Sequence, residues 1–192
     1  MRRMFLLTGV ALMLASGVRA ADKAELGCIA ETYTAEQRGQ IDALLPRVNL
    51  LSGGADPAAD ELGIVIATTA AECSETFSWN EAQLETAFLY EFGRAAELAI
   101  RRHGPLSASD IAKVDAALGK GDRTTLWNAL EAQVASGMAG DTETVEPGAA
   151  LVFGAFMMET GVSLDGDMPE QVGAFLATKA MQRMSARDFS DQ

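Results

Sequence analysis

The sequence predicts an all-α protein, an irregular helical bundle of about six to seven helices carrying one disulfide. Three observations lead there. Apolar residues recur at helical spacing in nearly every stretch between breakers, cap-type residues precede those stretches, and Gly or Pro follows them. The one stretch with strand propensity has no alternating apolar and polar run elsewhere to pair with.

Thr34-Ala35-Glu36-Gln37 has the form of a capping box, a hydroxyl at the cap and an amide three residues on. Ile41, Leu44, Leu45 and Val48 then keep helical spacing, so a first helix is expected over about 35–50. Ser52-Gly53-Gly54-Ala55-Asp56-Pro57 is a breaker, and Pro57 or Asp60 opens the next element. Its core, Leu62 to Ala71, carries no charge. Ile64-Val65-Ile66 and two threonines suit a strand, yet a lone strand leaves its backbone groups unpaired, so helix is expected.

Ser78-Trp79-Asn80-Glu81 reads as a second capping box in front of the longest helix, which Gly104-Pro105 ends. Ser107 or Ser109 starts another through Ile111, Val114, Ala117 and Leu118, stopped by Gly119 and Gly121. Asp122 caps a helix carrying Leu126, Trp127, Leu130 and Val134, which fades at Gly137 and Gly140. Glu143 to Gly148 is a polar connection. Ala149 to Met158 is apolar on every side, and the last helix begins at Pro169 with Val172, Leu176, Ala180 and Met184 on one stripe. Two helices without a polar face, around Ile64 and Phe153, are expected to be central, with the others wrapped about them.

Residues 1–20 read as a signal peptide: Met1-Arg2-Arg3, the apolar run Met4 to Ala15, and the small-residue Val18-Arg19-Ala20. The run is short for a bilayer span. The Arg2-Arg3 pair also fits twin-arginine export. The expected mature chain, residues 21–192, is one domain, periplasmic or secreted, with no stable membrane insertion once the signal is removed. Of 15 basic residues, Arg2, Arg3 and Arg19 leave with the signal while all 27 acidic ones stay, giving a net charge of about −15. Such a surface repels nucleic acid, and the one basic cluster is Arg101-Arg102-His103. Cys28 and Cys73 are the two cysteines, and an oxidising compartment makes them a disulfide.

Few residues suggest chemistry. On ideal helix geometry Glu91 falls inside the apolar arc of Leu84, Phe88, Phe92, Ala95, Leu98 and Ala99. A buried carboxylate is a candidate general acid or base, although Arg94, three residues on, can pair with it structurally. His103, the single histidine, is a second weak catalytic candidate and more simply a partner for the last carbonyls of its helix. Met138, Met157, Met158, Met168, Met181 and Met184 with His103 are soft ligands for copper, and Asp165, Asp167 and Glu170 are oxygen ligands for calcium. The bland alternatives are core filling by methionine and an Asp167 cap with Glu170 in the first turn.

No phosphate loop, dinucleotide fingerprint or covalent haem motif is present, so no cofactor is expected. The polar residues are accounted for by caps, flank pairs and solvation. The expectation is therefore an exported, non-catalytic protein that binds an envelope protein or a small apolar ligand held between helices. An enzyme built on Glu91, and a copper or calcium handler, are the alternatives.

Overall fold

The computed structural model describes residues 21–49, 56–140 and 147–192. The expected signal peptide, residues 1–20, lies outside the described residues, as do 50–55 of the expected breaker and 141–146 of the polar connection. The described backbone forms eight α-helices and no strand: α1 (Cys28–Thr32), α2 (Ala35–Leu44), α3 (Pro57–Phe77), α4 (Glu81–His103), α5 (Ala108–Leu118), α6 (Thr124–Met138), α7 (Pro147–Thr160) and α8 (Met168–Asp191). Among the described residues no helix is both long and apolar enough to cross a membrane.

Most helix starts follow the expected chemistry. Thr34 and Gln37 form the capping box of α2, and Asp56 caps α3 with Pro57 at its first position. Ser107 accepts from the Asp110 amide at the start of α5. Asp122 accepts from the Thr124 amide at 2.8 Å, one residue ahead of the formal cap of α6.

Four expectations need correction. The first long helix stops at Leu44 and tightens into a 3₁₀ turn, Leu45–Arg47, because Pro46 has no N–H to continue the α pattern. The capping box of α4 is Asn80 with Gln83, whereas Ser78 ends α3 in the left-handed region at φ 59°. Asp167 precedes α8 without a side-chain capping bond. The short helix α1, led by a 3₁₀ turn over Lys23–Gly27 that Asp22 caps, was not expected at all; five residues are too few to show a periodic stripe.

The arrangement differs most in what lies at the centre. α3 and α7 are apolar in composition but one-sided in the fold: Ile64 is 68% exposed, Leu151 76% and Met158 72%. The central pair is α4 and α8, which run antiparallel and form the most extensive helix contact among the described residues. Gly93 lets the two backbones meet, since a Cβ there would lie 3.0 Å from the Thr178 carbonyl oxygen. The buried side of α4 is built mostly from small residues, Ala87, Ala95, Ala96 and Ala99, while Leu84, Phe88, Phe92 and Leu98 are half-buried on its flanks. Close approach therefore favours alanine, and the bulky residues fill the space to either side.

This pair joins two apolar clusters. One gathers Leu26, Ile29, Leu45, Leu62, Ile66, Ala70 and Trp79 from the first half of the chain with Phe189 of α8. The other gathers Val114, Leu126, Phe156, Met157 and Val162 with Val172, Phe175 and Leu176 of α8. The expected disulfide is present: Cys28 of α1 is bonded to Cys73 of α3, with a Cα separation of 6.1 Å. Trp79 is a core residue; its indole donates to Glu25 at 2.8 Å and meets the Phe189 ring edge-on.

Candidate functional site

Glu91 is fully enclosed, on the side of α4 that meets Tyr33, the residue following α1. Its Oε1 accepts from the Tyr33 hydroxyl at 2.9 Å, and Arg94 closes a two-pronged pair with Nε on Oε2 and Nη2 on Oε1, both at 2.6 Å. Burial pushes the Tyr33 hydroxyl far above the ordinary phenol range, with the charge and hydrogen bond of Glu91 adding to it, so Tyr33 stays a donor. The Glu91 hydrogen bond raises the Arg94 pKa further. Both carboxylate oxygens are engaged and neither is exposed. This geometry pins Tyr33, between α1 and α2, to α4 and offers no oxygen to a substrate.

The Arg94 pairing follows from three-residue spacing, but Tyr33 lies 58 positions from Glu91 and had no local signal. Neither Arg102 nor His103 bonds to Glu91. Arg102 pairs with Asp42 at 3.2 Å on the surface. His103 is exposed in the last turn of α4, at the edge of a 130 Å³ recess shared with Leu45, Pro46 and Gln171.

The metal candidates are dispersed. Among the described residues no three of His, Cys, Asp and Glu gather as a cation-holding group, so Asp165, Asp167 and Glu170 do not converge. Asp165 instead exchanges hydrogen bonds with Ser163 in the turn before α8. Met157 belongs to the second apolar cluster, Met158 and Met138 are exposed, and Met181 lines a shallow groove with Phe88 and Phe92.

Two charged networks also join the helices. Glu97 of α4 receives Gln182 at 2.8 Å, Arg101 at 2.7 Å and Lys179 at 3.0 Å. Burial raises its carboxyl pKa, but these three donors outweigh that and hold it below the ordinary range. On α6, the nearly buried Glu131 accepts from Arg183 at 3.0 Å and Arg187 at 2.5 Å, both from α8.

A concave apolar site lies elsewhere, between α6, α7 and α8. It has a volume of about 410 Å³ and is lined by Leu126, Ala129, Leu130, Gln133 and Val134 of α6, Ala149, Ala150 and Phe153 of α7, and Pro169, Glu170, Gly173 and Ala177 of α8. On each helix these positions recur every three or four residues, so one stripe of each helix forms one wall. The hollow exists because five of the twelve are Ala or Gly, side chains too small to fill the space between the three helices. Gln133 and Glu170 are its polar residues. A closed apolar cavity of about 150 Å³ holds benzene, so this groove has room for a longer hydrocarbon.

No family model, curated protein or solved structure matches this chain. The expectation of a ligand between helices named no residues. In hindsight its signal is the small-residue pattern Ala129, Ala149, Ala150, Gly173 and Ala177 on three neighbouring helices.

Proposed function

We propose that this chain is an exported, non-catalytic binding protein that holds a small apolar ligand in the groove between α6, α7 and α8. The observation that carries the reading is the groove itself: its volume lies within the range of small-molecule sites, its walls are apolar, and its few polar groups sit together with them. The enclosure of Glu91 supports binding over acid–base chemistry, because the best carboxylate candidate is committed to a structural pair. A disulfide between Cys28 and Cys73 is in keeping with export.

Titration with Nile red, an uncharged probe whose emission rises in apolar surroundings, tests the reading. One saturable site is expected, and Ala177→Phe, which places a ring in the groove, is expected to weaken binding at least tenfold while the fold is retained by circular dichroism. Absence of saturable binding, or binding that Ala177→Phe leaves intact, counts against it. A second reading, docking of an envelope protein, draws on the outer side of α7, where Leu151 and Met158 stand seven residues apart and exposed. Leu151→Lys with Met158→Lys would abolish capture of such a partner and leave Nile red binding unchanged.

A further inference from the structure

Among the described residues Glu170 is the one charged residue lining the groove, and no lysine or arginine lines it. That side chain is exposed in the first turn of α8, and among the described residues it forms no ion pair or side-chain hydrogen bond. Its carboxylate is therefore free to meet a bound group.

The start of α8 could in principle attract an anionic group through its free amides. Here Met168 N–H bonds the Asp165 carbonyl at 3.3 Å, Gln171 N–H bonds the Asp167 carbonyl at 3.1 Å and Pro169 has no N–H, which leaves in this turn only the amide of Glu170 itself, on the residue that carries the carboxylate. The whole chain carries a net charge of −12, which adds a field of the same sign. An anionic head at this rim meets a carboxylate and no compensating cation, whereas a cationic head meets a partner.

We propose, resting on the reading of the groove as an apolar ligand site, that its ligand is a cationic amphiphile, an alkylammonium-type molecule whose chain lies among Leu130, Phe153 and Ala177 and whose positive head meets Glu170. Fatty carboxylates are the class it rejects.

Isothermal titration of the full chain with dodecyltrimethylammonium, dodecyl maltoside and dodecanoate, each below its micelle concentration, separates the two readings. The cation is expected to bind tightest and dodecanoate weakest. Glu170→Gln is expected to shrink the cation's advantage over the maltoside by roughly two- to fivefold, as befits one solvent-exposed charge pair, with maltoside binding unchanged. Glu36→Gln, an exposed acid on α2, is expected to leave that ratio alone. Dodecanoate binding as tightly as the cation, a ratio unmoved by Glu170→Gln, or an equal change with Glu36→Gln overturns the charge selection while leaving the groove reading in place. Failure of the maltoside to bind, or binding that survives Ala177→Phe, overturns both.

Discussion

Removing the Tyr33 hydroxyl with Tyr33→Phe deletes one donor to a carboxylate that has no exposure to water. A hydrogen bond to a charged group contributes about 1.5 to 3 kcal/mol, and Glu91 keeps both Arg94 bonds, so a loss near 2 kcal/mol is expected. Glu91→Leu removes the acceptor instead. It leaves the Tyr33 hydroxyl buried and unsatisfied, at about 1 to 3 kcal/mol, whereas Arg94 is 40% exposed and can turn to solvent. In the double variant neither group is stranded, so the combined loss is expected to fall short of the sum by at least 1 kcal/mol. Urea unfolding of the four proteins, with equal slopes required before comparison, gives that coupling directly. In thermal scans each single variant should melt roughly 4 to 8 °C lower. Additivity within about 0.5 kcal/mol would refute the claim that the two groups depend on each other.

Two glycines should respond to alanine with opposite signs. Gly93→Ala drives a Cβ to within 3.0 Å of the Thr178 carbonyl oxygen and should destabilise by about 1 to 2 kcal/mol, while Gly173→Ala meets only the Phe153 ring at 3.8 Å and should stabilise by about 0.5 to 1 kcal/mol; equal melting shifts would show that α4 and α8 are not held as closely as described. Reducing the Cys28–Cys73 bond, or replacing both cysteines with serine, should cost about 3 to 4 kcal/mol in urea unfolding, and thiol counting on the denatured, unreduced protein should find no free cysteine. The Glu97 carboxyl titrates below its ordinary value of about 4.5, so its network contributes stability above that pH and loses it as the pH falls through the lowered pKa; Glu97→Gln should flatten stability against pH in that acid range, and an unchanged slope would exclude the network as its source. Protein from an exported fraction should begin near Ala21 or Asp22 on N-terminal sequencing; a chain that still starts at Met1 would remove the basis for export.

Helix positions were legible because their signals are local. Thr34 with Gln37, Asp56 with Pro57 and Ser107 all act within one turn of where they stand. The disulfide was legible for a different reason, since two cysteines allow one pairing. Pro46 was equally local and its consequence could have been read from residue type alone. The arrangement was not legible in the same way. An uncharged helix can be central or can face solvent with its surplus apolar side, and composition does not separate Ile66, fully buried, from Ile64, exposed two residues earlier. The Tyr33 partner of Glu91 and the three-walled groove both depend on which helices become neighbours, and that is settled by packing between distant segments.

Because α8 supplies residues to both apolar clusters, neither can close before the chain has been made past residue 168. Cys28 and Cys73 both emerge long before that. Their bond can therefore form while Trp79 still lacks Phe189, and it shortens the search that α8 must complete when it arrives. In an exported chain this order gives a natural window for oxidation ahead of final docking. The rate-limiting event in refolding should then be the seating of α8 along α4, and a small deletion that removes Phe189 should slow or prevent it even with the disulfide intact.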